Sequence, residues 1–334
     1  MRRRDFIKIG AGLGAAGLAT GFASPACAQA KMVFKASDVQ PAGYPTVAAT
    51  ENLGKKLAEA TNGRLSVQMY PSMQLGGEKE TIEQTQIGAI QLLRVSAGTM
   101  GPIVDDINVV NMPFLFKSIA HSEKMMDGPI GQDLLDKVTN SGKGLIGLCW
   151  MNSGARSLYN SKHPIKSIED IKGLKFRVIG NPIFVDMANA MGGNGVAMGY
   201  DQVFSSLQTG VIDGAENNPP SFVFDNHYQV AKFYTLDEHL IVPEMLVMSK
   251  KIWDSMSKDD QALLVKFSKE AQQEERKLWE AYEKQAMDKA KAAGIQIIEV
   301  STADKKAFQD AVKPVWDKYG PKYEATVKRI QEVK

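Results

Sequence analysis

Residues 65–70, Leu-Ser-Val-Gln-Met-Tyr, alternate apolar and polar side chains and stop at Pro71, which is the pattern of a half-buried strand. Shorter apolar runs at 33–36 and 90–95 predict two further strands. Between them the apolar spacing becomes helical. One helix is predicted over 45–61, with Gly63 at its end, and a second over 78–87. Strand and helix taking turns in this way argue for an α/β fold with a largely parallel sheet. Ligands of such sheets collect at the carboxyl ends of the strands. That rule gathers Arg94, Ser96, Arg177 and Asn217 at one rim, provided that two lobes close on one another.

The C-terminal part has a different texture. Ser257 is a helix cap with an acid, Asp260, three residues on, and the helical pattern then continues to Gly294. Leu264, Phe267, Ala271, Leu278 and Tyr282 are expected near one face. A helix of that length suits a strut across two lobes. The region after the leader shows neither an internal repeat nor a low-complexity stretch.

Residues 1–30 read as an export signal. Arg3-Arg4-Asp5-Phe6-Ile7-Lys8 has a twin-arginine pattern, a Gly/Ala-rich stretch follows, and Ala28-Gln29-Ala30 is an A-x-A cleavage site. Gly12-Leu13-Gly14-Ala15-Ala16-Gly17 fits G-x-G-x-x-G but has no strand before it, so no dinucleotide is inferred. Cys27 lacks the leucine expected before a lipidated cysteine. Without this leader the chain carries 36 Lys+Arg against 37 Asp+Glu, and such a balance argues against nucleic acid. One cysteine then remains, Cys149, in the apolar run Leu145-Ile146-Gly147-Leu148-Cys149-Trp150, so an internal disulfide and a thiolate metal site are excluded and an inert core thiol is expected.

Catalytic chemistry finds little support. His121, His163, His227 and His239 form no zinc-binding spacing, and neither a G-x-S-x-G elbow nor a P-loop occurs. His121 and His163 are expected at the surface and His239 in a structural role. No cofactor is implied. A secreted enzyme stays as an alternative only because twin-arginine export carries proteins that fold around cofactors.

Arg177 ends the strand-like Lys175-Phe176-Arg177-Val178, where a planar fork of donors suits a carboxylate. The stretch 170–178, Asp-Ile-Lys-Gly-Leu-Lys-Phe-Arg-Val, and the stretch 207–218, Leu-Gln-Thr-Gly-Val-Ile-Asp-Gly-Ala-Glu-Asn-Asn, together resemble the signature of the DctP-type solute-binding proteins of TRAP transporters. Three more stretches resemble the family in order: Tyr70-Pro71-Ser72-Met73-Gln74-Leu75-Gly76-Gly77-Glu78, Met112-Pro113-Phe114-Leu115-Phe116 and Gly154-Ala155-Arg156. The resemblance implies a two-lobed periplasmic binding protein with chain crossovers and a long helix packed across both lobes. Lobe I is placed at 31–154 with 243–282, and lobe II at 155–242 with 283–334. It implies Arg177 as the main carboxylate anchor, Asn217 as a second ligand residue, and Arg156 facing the carboxylate or its neighbours. It further implies delivery to TRAP membrane subunits, and a monomer is expected.

The remaining polar candidates bear on which acid is held. Glu78 at a helix start, Arg94, Asn181, Gln40 and Asn217 would line a pocket rich in donors and acceptors. Polyhydroxylated ligands need that richness, because an unpaired buried polar group costs about 1–3 kcal/mol. Tyr200 stands where sialic-acid-binding relatives stack an aromatic on the sugar; packing beneath the helix over 200–207 is its other reading. The stretch from Gly77 to Ser96 is similar to uronate-binding members, so a hexuronate such as D-glucuronate or D-galacturonate is expected, with a C4-dicarboxylate as the alternative.

Overall fold

In the computed structural model, residues 31–334 are described, and the leader readings, including Cys27 and the glycine motif, lie outside the described residues. Residues 31–334 make one compact unit built on two sheets. The strands in chain order are β1 Met32–Ser37, β2 Leu65–Tyr70, β3 Leu92–Ser96, β4 Leu145–Met151, β5 Arg156–Asn160, β6 Lys175–Val178, β7 Asn194–Ala197, β8 Gly214–Asn217, β9 Phe233–Leu240, β10 Glu244–Ser249 and β11 Gln296–Glu299. The first sheet has the order β2-β1-β3-β10-β4 and the second β11-β9-β5-β8-β6-β7. Each sheet is the centre of one lobe.

The sheets are mixed rather than largely parallel. β1 pairs in parallel with β2 and β3, as strand–helix alternation predicts. β10 then enters from much later in the chain and runs antiparallel between β3 and β4. No local pattern announces such a partner, since β10 is 148 residues beyond the end of β3. The chain passes from the first sheet to the second between β4 and β5 and returns between β9 and β10. At the first passage Gly154 has φ +61°, and a Cβ there would lie 3.0 Å from Glu283 Oε1 and 3.1 Å from Trp279 Nε1, so a side chain would be both strained and crowded.

The third link is the helix Lys258–Ala292, 35 residues and about 50 Å long. Ser257 caps it by accepting from Asp260 N at 3.2 Å. Leu264, Phe267 and Ala271 pack into the core of the first sheet, and Ala286 and Ala290 into that of the second, so the helix spans both lobes. Leu278 does not share this face and is 37% exposed, whereas Trp279 is buried. A straight helix of 3.6 residues per turn drifts away from a seven-residue repeat, and the buried stripe moves from Ala271 through Glu275 to Trp279. Tyr282 is half-buried and stacks on Phe224 of the second lobe.

Two smaller expectations also meet the structure here. Cys149 is fully buried, and burial pushes its thiol up to about 12, so it stays protonated. His163 is exposed, but His121 is buried, with Nε2 2.9 Å from the carbonyl oxygen of Ile330. The C-terminal helix Lys313–Gln331 folds back over it, a contact across 209 residues that turn-like neighbours cannot signal.

Candidate binding site

A half-open cleft of about 360 Å³, open solvent included, lies between the two sheets. Gln40, Glu78, Arg94, Ser96 and Glu244 line it from the first sheet's side. Arg156, Arg177, Tyr200, Asn217, Asn218 and Ser221 line it from the second. Seven of the eight expected site residues are thus brought together across separations of up to 177 positions.

The three arginines differ in how far the protein satisfies them. Arg94, in the middle of β3, donates from Nε to Asp38 Oδ1 at 2.8 Å and from Nη1 to Glu78 Oε1 at 2.9 Å and Glu244 Oε2 at 2.7 Å. Its Nη2 also reaches Asp38. Arg156 opens β5 and grips Glu216 with Nε at 2.6 Å and Nη2 at 2.9 Å, while Nη1 donates to Asn217 Oδ1 at 2.7 Å. Burial lowers the Arg156 pKa, but Glu216 outweighs it and the net direction is up. Burial raises Glu216 in turn, and Arg156 with His239 brings it down to about 2.

Arg177 stands apart. It is 4% exposed, donates from Nε to Met198 O at 3.0 Å, and lies 5.6 Å from the centre of the Tyr200 ring. No carboxylate pairs with it among the described residues, unlike Arg94 and Arg156. Burial lowers its pKa and neighbouring Arg156 lowers it further, against the pull of Glu216. A guanidinium nonetheless remains charged, so a buried charge with two free terminal nitrogens faces the cavity. Parallel donors at those nitrogens match the two oxygens of a carboxylate.

Polar groups complete the walls. Asn217 ends β8, and its Oδ1 accepts from Arg156 and from Asn218 N. Glu78 heads the helix Glu78–Ile87 and accepts from Ser96 N at 3.0 Å and from Thr99. Gln40 reaches across to Ser221 at 3.4 Å, and its buried Oε1 has no protein partner. The Tyr200 hydroxyl donates to Asp225 Oδ2 at 2.6 Å, and burial raises Asp225 to about 7. Tyr200 therefore presents its ring, not its hydroxyl, to Arg177.

Asn181 does not line the cavity. Its Nδ2 donates to Gly98 O at 3.0 Å and Asn108 Oδ1 at 2.8 Å, and its Oδ1 caps the helix Pro182–Ala190 through Ile183 N. Proline at the first helical position makes the residue before it a cap, and that local signal was readable as Asn181-Pro182. Glu244 went unforeseen. An acid opening the otherwise apolar strand Glu244–Ser249 is the sign that could have found it. Burial, which outweighs Arg94, raises its carboxyl to about 7. Among the described residues no cluster of His, Cys, Asp or Glu could hold a metal ion, and no helix is long and apolar enough to cross a membrane.

The two-lobed fold is shared with known proteins. The profile of the family described as bacterial extracellular solute-binding protein, family 7, matches residues 36–322. The fold is similar to a TRAP periplasmic solute-binding protein from Pseudomonas putida F1 crystallised with bound D-glucuronate. That chain is 52% identical with a TM-score of 0.89, covering 91% of this chain and 98% of that one. It is also similar to a Bradyrhizobium sp. BTAi1 protein in complex with D-galacturonate, at 42% identity, TM-score 0.87, and 90% and 100% coverage. A Citrobacter koseri protein with bound D-glucuronate gives 46% identity and TM-score 0.88 over 91% and 100% of the chains. The apo, open structure of the same protein gives 0.79 over 90% and 98%, so the lobes here stand closer to the ligand-bound arrangement. Proteins of this family are solute-binding parts of transport systems that work with membrane subunits, not enzymes. The chain belongs to bacterial extracellular solute-binding protein family 7, the DctP family of TRAP solute-binding proteins.

Proposed function

We propose that this protein captures a hexuronate, D-glucuronate or D-galacturonate, in the periplasm and delivers it to the membrane subunits of a TRAP transporter. The observation that carries the reading is Arg177, a buried guanidinium with free terminal nitrogens and no carboxylate of its own. A carboxylate gripped at both terminal nitrogens gains about 1.5–3 kcal/mol per charge-assisted hydrogen bond. Micromolar capture needs about 8 kcal/mol, so hydroxyl contacts must supply the remainder. Glu78, Arg156, Asn217 and Gln40, with Arg94 holding the acids in place and Tyr200 as a ring surface beside the anion, provide that polar lining. The bound D-glucuronate and D-galacturonate of the similar structures support a hexuronate over a C4-dicarboxylate.

Most lining residues are buried, so the ligand enters when the lobes part and is sealed when they close. In the open form Arg177 faces water; closing over it without an anion would bury an unpaired charge. The acid removes that penalty, which ties closure to occupancy. The moving bodies are 31–154 with 243–282 and 155–242 with 283–334, and the protein acts as a monomer. Isothermal titration of the exported protein with D-glucuronate, D-galacturonate, succinate and malate tests the reading. A hexuronate Kd at or below the micromolar range with weaker diacid binding is expected. Tighter binding of succinate or malate would favour the C4-dicarboxylate reading, and no binding of any acid would end both.

A further inference from the structure

The two walls of the cavity carry opposite charge. On the first sheet's side Glu78 and Glu244 line the space and Asp38 stands behind them, all three paired to Arg94, which leaves a formal charge of −2 once Glu244 is ionised. On the second sheet's side Arg156 is paired to Glu216 and Arg177 has no paired carboxylate, so the two guanidiniums exceed their carboxylate by one charge. Arg94 does not soften this contrast for a ligand. Its Nε and Nη2 are committed to Asp38, and its Nη1 divides its two hydrogens between Glu78 and Glu244. It has no open fork to offer a second carboxylate. The Glu244 carboxyl is raised chiefly by burial; Arg94 opposes this, and Glu78 and Asp38 add to it.

We propose that Glu244, together with Glu78, selects an acid that is charged at one end and hydroxylated at the other, by accepting hydroxyl protons and repelling a second carboxylate. The inference rests on the hexuronate reading above and extends it to the face opposite Arg177. A hexuronate meets the requirement, because the carbons remote from its carboxylate carry only hydroxyls. Its diacid counterpart places a second negative charge against Glu244 and Glu78, and like charges brought together at a desolvated interface weigh heavily against the wrong partner. Glutamine in place of either glutamate keeps an acceptor oxygen and the side-chain length, and removes the repulsion.

The test compares D-galacturonate with galactarate by isothermal titration in the wild type, E244Q and E78Q. Galactarate differs in bearing a carboxylate at both ends. The wild type should prefer galacturonate by at least about a hundredfold, and each variant should bind galactarate about tenfold more tightly than the wild type does. Because the variant is compared with the wild type on one ligand, the open-chain shape of galactarate cancels. Galactarate affinity unchanged in both variants overturns the proposal, even if galacturonate binding weakens. Wild-type protein that binds both acids equally also overturns it while leaving the hexuronate reading intact. Wild-type protein that binds neither removes the reading beneath and this inference with it. Should E244Q fail to fold, the galactarate affinity of E78Q decides.

Discussion

Replacing Arg177 separates binding from folding more cleanly than any other change in the cavity. In Arg177→Ala the ligand loses a two-pronged carboxylate contact, at about 1.5–3 kcal/mol per hydrogen bond. The sum of about 3–6 kcal/mol corresponds to a loss of roughly a hundred- to ten-thousand-fold in affinity. The free protein should lose little, because no carboxylate is left behind without a partner and only the bond from Nε to Met198 O and the contact over the Tyr200 ring disappear. Arg156→Ala is the contrasting control. It strands Glu216, which is 1% exposed and held down to about 2, and breaking a buried pair in this way costs about 3–5 kcal/mol of stability. Thermal melts with and without D-glucuronate read both effects, since a ligand raises the midpoint in proportion to the logarithm of its concentration over Kd. Arg177→Ala should melt like the free wild type and show no ligand shift, whereas Arg156→Ala should melt well below it even without ligand. Arg177→Lys should also bind poorly, because an ammonium cannot supply two parallel donors. An Arg177→Ala protein that keeps hexuronate affinity within tenfold of the wild type would refute the reasoning.

Two further outcomes are expected. Glu275 is fully buried on the long helix, accepts from Asn152 N at 2.8 Å, and is raised by burial to about 8. A carboxyl whose folded pKa exceeds its unfolded value favours folding at low pH and loses that advantage as pH rises, here between about 4.5 and 8. Glu244 and Asp225, raised to about 7, act in the same direction. Glu275→Gln should therefore match the wild-type melting temperature at pH 5 and exceed it at pH 8, and equal melting at both pH values would exclude a charged Glu275 as a source of strain. Asn181→Ala should cost about 1–2 kcal/mol of stability through the lost cap, with hexuronate affinity changed less than threefold by titration. A selective loss of binding there would return Asn181 to the site.

Some of this protein was legible along the chain because the causes are local. The strand over 65–70 and the helix over 78–87 fall where the pattern of apolar and polar positions puts them. Ser257 caps the long helix because its hydroxyl needs only the amide three residues on. Asn181 also obeys a local rule: its Oδ1 accepts from Ile183 N as a helix cap, a role that the residue before Pro182 announces. The departures elsewhere come from distance. β10 joins the first sheet between two strands from much earlier in the chain, and Glu244 reaches the cavity only because of that insertion.

Side-chain chemistry and short-range spacing determined which groups could meet an acid: a guanidinium on a short strand, an asparagine at a strand end, and a glutamate at a helix start. Those choices are written residue by residue, since a planar fork or a capping hydroxyl acts over a few ångströms. Which arginine stays unpaired was decided only by the tertiary structure. Arg94, Arg156 and Arg177 carry the same group, yet Asp38, Glu78 and Glu244 surround the first and Glu216 holds the second. Charge compensation depends on what lies within about 4 Å in space, and in this fold those neighbours are up to 150 residues away in the chain.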